Sequence, residues 1–330
     1  MWRWYQDCVV CFVFLSDVHE ANIVEMVPRR PSKDRPFSNI AAQAFRSSEW
    51  FRRGWTLQEL LAPRNAIFFN SRWEQIGTKS TLASELSKAT GINSFYLVLP
   101  HHVYDASIAT RMSWAARRRT TRWEDRAYSL LGLFDVNMPL LYGEGKKAFL
   151  RLQQEIIQRS DDESIFAWRE PDFKFYDEWG LLAGSPDAFI DSGNFATFAG
   201  TGRLPYRMTN KGLKLRMPVL WSTRSSRNPD VTGRTLHPDG VSRIQDRDAQ
   251  QTAVKSGAVD SLELVLNCGR NVQEGNRTTR HAVCIKLQLG ARGWQRVDVR
   301  DLRTSPLSDY DLLELPDESI FVKQPGIHMS

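Results

Sequence analysis

The stretch RGWTLQELLAP, residues 53–63, decides the fold of the first half of this chain. Together with Trp50, its residues Leu57 and Leu61 recur at the spacing of one helical face, which predicts a helix that begins at Trp50. Pro63 has no backbone N–H and ends that helix. An amphipathic helix must bury its apolar face against another element, so strands are expected on either side of it.

Apolar runs on both sides of this helix predict the strands of a parallel sheet. The run CVVCFVFL, residues 8–15, has the length and composition of a buried strand, and AIFF, residues 66–69, is a second one. Helices are predicted from Ser38 to Phe45 and over residues 80–89, the latter ended by Gly91. The order strand, helix, strand, helix indicates an α/β unit.

The rest of the first half is predicted to be helical. Segments 107–116, 122–131 and 146–159 each place apolar residues three and four positions apart. With the α/β unit before them, these helices are assigned to a first domain at residues 1–168. The overall fold class expected for the chain is α+β.

Beyond Trp168 the pattern changes to short alternating segments separated by Gly, Asn, Asp and Pro. Period-two alternation with frequent turns predicts a mainly antiparallel β domain over residues 169–330, either a sandwich or an open barrel. The polar stretch at about 223–256 is expected to be a long loop or a partly disordered insertion. The alternating segments are 213–217, 262–266, 283–287 and 297–299.

The formal net charge of +6 over 330 residues raises the question of nucleic-acid binding. The densest basic cluster is interrupted by Glu124 and Asp125, and the chain has no zinc-finger spacing and no strand built to stack bases. No nucleic-acid partner is therefore expected, and the cluster is interpreted as a solvated or salt-bridged face. Its members are Arg117, Arg118, Arg119, Arg122 and Arg126.

The four cysteines are too few and too scattered for a disulfide framework, which indicates a reducing compartment and a cytoplasmic location. Cys8 and Cys11 are three residues apart, and in a strand such residues point to opposite faces. No metal site is therefore predicted. No stretch approaches the ~20 apolar residues of a membrane span, so no transmembrane segment is expected.

Three long motifs follow one another in the first half: RGWTLQELLAP at 53–63, SWAA at 113–116 with TTRWEDRAYSLLG at 120–132, and NMPLLYGEG at 137–145. Together they resemble the C-terminal half of fungal heterokaryon-incompatibility (HET) domains. The resemblance covers about residues 1–168. The remainder looks like the β-rich region that often follows such domains, and it implies no particular activity.

The resemblance implies that the front of the HET domain is missing. HET domains usually open with strand-containing segments before the equivalent of Tyr5, whereas Met1 already lies inside the pattern. The first strands of the sheet are therefore expected to be absent. Ligands of open α/β sheets bind at the carboxyl ends of the strands, so the loss of strands removes part of any cleft there.

HET domains are comparable to Toll/interleukin-receptor (TIR) domains, some of which cleave NAD. The TIR active-site helix carries Trp-Cys-x-x-Glu-Leu, and WTLQEL at residues 55–60 is similar, with Thr56 at the Cys position. The resemblance implies that Glu59, beside Trp55 and Gln58, is a catalytic carboxylate that contacts the ribose and stabilises oxocarbenium-like charge as nicotinamide leaves. A single Glu on an amphipathic helix is otherwise a surface charge or an ion-pair partner.

A second polar group consists of Arg122, Glu124 and Asp125, next to Thr121. In a ligand site, Arg122 could hold a phosphate while Glu124 or Asp125 orients a base or ribose. In a structural role, Thr121 would be the N-cap of the helix that starts near Arg122, with the two acids favoured in its first turn. The second interpretation accounts for more of these residues.

The resemblance implies a function in heterokaryon (vegetative) incompatibility, which is fungal allorecognition through programmed cell death. One hypothesis is a signalling module that acts by TIR-like NAD cleavage through Glu59, with NAD as substrate and no other cofactor. The alternative is a non-catalytic interaction or regulatory protein made from a degenerate HET domain. Other HET or receptor-type proteins are the expected partners, and a homo-oligomer is compatible with either hypothesis.

Overall fold

The computed structural model divides into two compact units. The first comprises Met1–Ala106, Thr110–Leu152 and Ser185–Gly193, and the second comprises Ser107–Ala109, Gln153–Gly184 and Asn194–Ser330. The predicted domain boundary at residue 168 stays a prediction. The residues that the structure describes are 1–21, 37–170, 180–198, 206–209, 212–223, 234–236, 242–244, 259–274, 277–290, 293–297, 299, 303–306 and 317–322.

The first unit contains a three-stranded sheet. Strand β1 (Cys11–Phe14) pairs in parallel with β2 (Ala66–Phe69), and β3 (Gln75–Thr78) pairs with β2 in antiparallel. The predicted parallel pair and the bounds of the second strand are thereby confirmed. The prediction of a strand buried throughout residues 8–15 is wrong, because β1 is four residues long and alternates between buried and exposed side chains.

The α-helices belong to the first unit, except for residues 108–109 and 153–157, which belong to the second. Most of these helices lie where apolar periodicity predicts them. Gly91 ends one of them with a left-handed φ of 73°, as predicted, and the Asn93 side chain accepts a hydrogen bond of 2.9 Å from Phe95 N to start the next. The helices are α1 (Trp2–Gln6), α2 (Phe37–Ser47), α3 (Thr56–Leu61), α4 (Ala83–Thr90), α5 (Ser94–Val98), α6 (Ile108–Ala115), α7 (Asp125–Tyr128) and α8 (Lys147–Ile157).

The predicted continuous helix from Trp50 is wrong, because the helical conformation is interrupted at Arg53. A 3-10 helix, Glu49–Arg52, ends there, and α3 begins three residues later. Gly54 N donates a hydrogen bond of 2.8 Å to Arg119 O, so this backbone pairs with a distant segment instead of with its own helix. A Cβ at Gly54 would lie 2.5 Å from the Thr120 side chain, which makes glycine necessary at this approach.

In the described residues of the second unit, ten β-strands form one sheet. No helix among the described residues is long and apolar enough to span a membrane. The strands are β4 (Ala196–Thr197), β5 (Arg207–Thr209), β6 (Gly212–Thr223), β7 (Arg234–Leu236), β8 (Ser242–Ile244), β9 (Val259–Glu274), β10 (Arg277–Gly290), β11 (Gly293–Arg296), β12 (Arg303–Pro306) and β13 (Asp317–Val322).

Five of these strands pair in a closed ring. The order β9, β10, β11, β13, β6 returns to β9 through a further antiparallel pairing, so each of the five has a partner on both sides within the ring. All of these pairings are antiparallel except that of β11 with β13. The predicted antiparallel β region is confirmed in its strand type.

The alternating segments of the sequence coincide with strands at three of the four predicted places. Segments 213–217, 262–266 and 283–287 lie in β6, β9 and β10. The prediction of a strand at 297–299 is wrong for the residues described there, because β11 ends at Arg296. Within the polar stretch at 223–256 the structure places the last residue of β6, together with β7 and β8, and the rest of it lies outside the described residues.

Candidate functional site

Helix α3 carries the three residues that the resemblance puts at an active site. Trp55 is the N-cap residue and is half-buried, Gln58 is buried, and Glu59 is half-buried. The Gln58 side-chain amide donates a hydrogen bond of 2.8 Å to Ser129 O, which fixes one face of α3 against the chain that follows α7. These three side chains therefore have different surroundings, although they are close in sequence.

A cleft of about 800 Å³ opens beside α3 within the first unit. Trp55 and Gln58 contribute to its wall, whereas Glu59 is not among the described residues that line it. Its volume is within the range of small-molecule sites. The other lining residues are Met1, Trp2, Arg3, Trp4, Gln6, Tyr104, Tyr128, Leu131, Gly132, Asp135, Val136, Asn137 and Leu140.

Glu59 faces Tyr5 of α1. Burial raises the pKa of the Glu59 carboxyl above its ordinary value, and a hydrogen bond from Tyr5, the charge of Arg53 and a hydrogen bond from Trp50 only partly oppose that rise. Burial, followed by the charge of Glu59 and the hydrogen bond to it, raises the pKa of Tyr5 to about 12. A raised carboxyl pKa is compatible with acid–base chemistry, but the same pair also joins α1 to α3.

Glu124 holds a turn formed by the third sequence motif. It is buried, and its carboxylate Oε1 accepts backbone N–H groups from Gly143 at 2.7 Å and Gly145 at 3.0 Å. Backbone hydrogen bonds, including these two, lower the pKa of Glu124. Both glycines have positive φ, 103° and 58°, which this turn requires.

The predicted helix cap at Thr121 is wrong. Helix α7 begins at Asp125, and its N-cap residue is Glu124, whose side chain makes no capping hydrogen bond because it faces Gly143 and Gly145. The predicted helix over residues 122–131 is correspondingly shortened to Asp125–Tyr128.

Arg122 and Asp125 converge on one tyrosine of the third motif. The Arg122 guanidinium lies 4.8 Å from the centre of the Tyr142 ring, and the Tyr142 hydroxyl donates a hydrogen bond of 2.9 Å to Asp125. That hydrogen bond is the main cause of the raised pKa of Tyr142. Because Arg122, Asp125 and Glu124 contact groups of the protein, they join residues 122–125 to residues 142–145.

Two buried cations have roles that sequence reasoning missed. Lys79 donates to Leu61 O at 3.3 Å and Pro63 O at 2.8 Å at the C-terminal end of α3, and burial lowers the pKa of Lys79 to about 8. Arg118 donates to Arg53 O at 2.9 Å, and burial lowers the pKa of Arg118 to about 9. Arg118 also donates to Trp114 O at 3.1 Å and to the Thr56 hydroxyl at 3.2 Å. The interpretation of the arginine cluster as a solvated or salt-bridged face is wrong for Arg118, because it is buried among these partners. Apart from Trp114, the partners are distant in sequence, so no local pattern indicates them.

The cysteines show a different arrangement from the one predicted. Cys8 precedes β1 instead of lying in it, and its sulfur contacts Tyr5 O at 3.0 Å, so the argument from alternating strand faces does not apply to the pair. Burial raises the pKa of Cys11 to about 11. Among the described residues no group of three His, Cys, Asp or Glu side chains is placed to hold a metal ion.

Comparison with known proteins shows that half of this chain is similar to part of a fungal vegetative incompatibility protein. That protein is Vegetative incompatibility protein HET-E-1 of Podospora anserina, to which this chain is 41% identical over 161 residues. The aligned part is 49% of this chain and 11% of that protein, so the chain covers about a tenth of its relative.

Two other comparisons add less. Residues 147–178, which include α8, match the family described as Domain of unknown function (DUF8212). No solved structure matches the chain.

Proposed function

We propose that this chain acts in fungal vegetative incompatibility as a HET-type signalling module for programmed cell death. The observation that carries the proposal is the 41% identity to Vegetative incompatibility protein HET-E-1 over 161 residues. The packing of the motifs supports it: the first motif meets the second through Gln58 and Ser129, and the second meets the third through Glu124 and Gly143.

Within this function, the geometry favours a non-catalytic interaction or regulatory role. Arg122, Glu124 and Asp125 are committed to protein contacts, and Glu59 faces Tyr5 outside the wall of the cleft. The partners proposed are other HET or receptor-type proteins in the cytoplasm, or further copies of this chain in a homo-oligomer.

NAD cleavage through Glu59 is the second candidate. Two observations favour it: the raised pKa of the Glu59 carboxyl, and a cleft of about 800 Å³ whose wall includes Trp55 and Gln58 on the same helix. The candidate requires the carboxylate to reach the ribose of NAD bound in that cleft.

The test is inducible expression of the chain in a filamentous fungus, with cell viability and cellular NAD as readouts. The variants are Glu59→Gln, which keeps the shape of the side chain, and Glu49→Gln, a matched control on the exposed 3-10 helix. Death that persists in the Glu59→Gln variant with steady NAD supports the interaction role. Loss of both death and NAD consumption in that variant alone supports catalysis.

Viability that is unchanged by wild-type chain at confirmed expression, both alone and together with a full-length incompatibility protein, would contradict the proposed function itself. Expression of each variant is measured by immunoblot, so that a loss of protein is not mistaken for a loss of activity.

A further inference from the structure

Four large apolar side chains are exposed where the second motif meets the third. They are called the Trp123 patch and comprise Trp123, Leu140, Leu141 and Tyr142, with exposed fractions of 57%, 52%, 53% and 48%. The Glu124 carboxylate, next to Trp123 in the chain, accepts the N–H of Gly143 at 2.7 Å, so the two segments lie side by side. Contiguous apolar surface on a soluble protein marks a site that contacts a partner or a membrane.

The loop that carries the two leucines is fixed by hydrogen bonds from its backbone to side chains of α7 and α8. The Arg151 guanidinium donates to Pro139 O at 2.7 Å, and the Leu141 N–H donates to the Tyr128 hydroxyl at 2.8 Å. These bonds hold the backbone on both sides of Leu140. The leucine side chains therefore stay at the surface, although exposure of leucine to water is unfavourable.

Two cations lie over the aromatic rings of the Trp123 patch. The Arg122 guanidinium is 4.8 Å from the centre of the Tyr142 ring, and the Lys146 ammonium is 5.3 Å from that of Trp123. Stacking engages the face of the guanidinium and leaves its in-plane N–H groups available to an anion. The patch therefore presents apolar side chains together with positive charge.

The neighbouring carboxylates do not cancel this charge at the surface, because they accept hydrogen bonds within the protein. They are also less exposed than the two cations. The carboxylates are Glu124, which accepts from Gly143, Asp125, which accepts from Tyr142, and Glu144, which accepts from Tyr128.

We propose that the Trp123 patch binds the surface of an anionic membrane: its apolar side chains enter the interface, and Arg122 and Lys146 contact lipid phosphates. Apolar and aromatic side chains beside Lys and Arg are typical of segments that lie on membranes. An acidic protein surface fits less well, because leucine seldom carries the binding energy of protein interfaces. The proposal does not depend on the incompatibility role or on catalysis.

The experiment is co-sedimentation of the full chain with vesicles of phosphatidylcholine alone and of equal parts phosphatidylcholine and phosphatidylserine. Binding to the anionic vesicles is expected, with weaker binding to neutral vesicles and at high salt. The double variant Leu140→Ala/Leu141→Ala should bind anionic vesicles about 10-fold more weakly, since it loses apolar surface that the interface buries. The matched control is Val98→Ala/Leu99→Ala, which truncates two consecutive exposed apolar residues outside the patch and should leave binding unchanged.

A second pair of variants tests the charge independently. Arg122→Gln/Lys146→Gln should weaken binding to anionic vesicles about 10- to 30-fold, because each cation is attracted to the anionic surface. Arg72→Gln/Lys88→Gln removes the same charge from exposed side chains outside the patch and should weaken binding much less. Thermal melting confirms that each variant is folded.

Three results overturn the proposal. The first is no binding of the wild-type chain to anionic vesicles, and the second is equal weakening by the patch variants and their controls. The third is binding of poly-glutamate through Arg122 and Lys146 by a chain that ignores vesicles, which would assign the patch to an acidic protein partner instead.

Discussion

The Glu124 carboxylate accepts a hydrogen bond of 2.7 Å from the backbone N–H of Gly143, nineteen positions later in the chain. This contact, together with the one from Gly145, fixes the turn in which the third motif ends. The charged Glu124 carboxylate therefore accepts hydrogen bonds from two backbone N–H groups that have no partner within a helix or strand.

The first prediction concerns Glu124→Gln, which should lower the melting temperature at neutral pH because a neutral amide is a weaker acceptor for these N–H groups. The pKa of Glu124 is lowered in the folded chain, so its stabilisation is present above the ordinary carboxyl pKa and is lost as pH falls through the folded value. Melting curves across this range should show wild type and variant converge in acid. A difference that is constant with pH would contradict the assignment.

The second prediction concerns Glu59→Gln, which should raise the melting temperature at pH 7. The pKa of Glu59 is raised in the folded chain, so the carboxyl stabilises the fold only below its ordinary pKa of about 4.3 and loses that contribution as pH rises. A neutral amide avoids the loss. The gain should disappear in acid, and Glu49→Gln, on an exposed ion pair, should show no comparable gain at either pH.

The third prediction concerns Gly132→Ala, which should destabilise the chain by about 1–3 kcal/mol because its methyl group would overlap Trp2. Hydrogen exchange should show the amides of α1 exchanging faster, since the helix must move off the glycine. Gly184→Ala is the matched control, because a Cβ there meets nothing within 4 Å. Equal effects of the two substitutions would show that the Trp2 contact is not the cause.

The fourth prediction concerns Arg296, which is buried in the second unit. Its guanidinium donates to Phe166 O at 2.9 Å and to Trp168 O, and it lies 3.9 Å from the centre of the Trp168 ring. Arg296→Ala should lower the free energy of unfolding by about 3 kcal/mol, since both carbonyls lose their donor.

Arg296→Lys serves as the control for charge, and urea denaturation measures both variants. Lysine keeps the charge but lacks the planar guanidinium that bonds two carbonyls and stacks on the Trp168 ring. The Arg296→Lys variant should therefore recover only part of the free energy of unfolding that Arg296→Ala loses. Full recovery by lysine would show that charge alone suffices.

The sequence predicted correctly those helices and strands whose bounds depend on residues close to them in the chain. The bounds of β2 and the end of α4 at Gly91 follow from apolar composition and from the left-handed conformation that glycine adopts readily. The break at Arg53 could not be predicted in this way. It depends on a backbone hydrogen bond from Gly54 to Arg119, sixty-five positions away.

In the candidate site, too, the sequence predicted which residues are close in the chain but not which distant residues contact them. The sequence indicated Trp55, Gln58 and Glu59 as neighbours on one helix, which they are, but not that Tyr5 would face the carboxylate while the other two line a cleft. It also placed Arg122, Glu124 and Asp125 together without their partners. Those partners, Tyr142 and the glycines beside it, belong to another motif.

The closed ring of strands also dictates when the second unit can finish folding. Strand β13 pairs with β6 in a register that joins Val322 to Leu213, so the last link of the ring spans more than a hundred positions of chain. Contacts so distant in sequence form slowly, because loop entropy is lost before any pairing is gained. During synthesis from the N-terminus, β6 therefore lacks this partner until β13 has emerged from the ribosome, more than a hundred residues later.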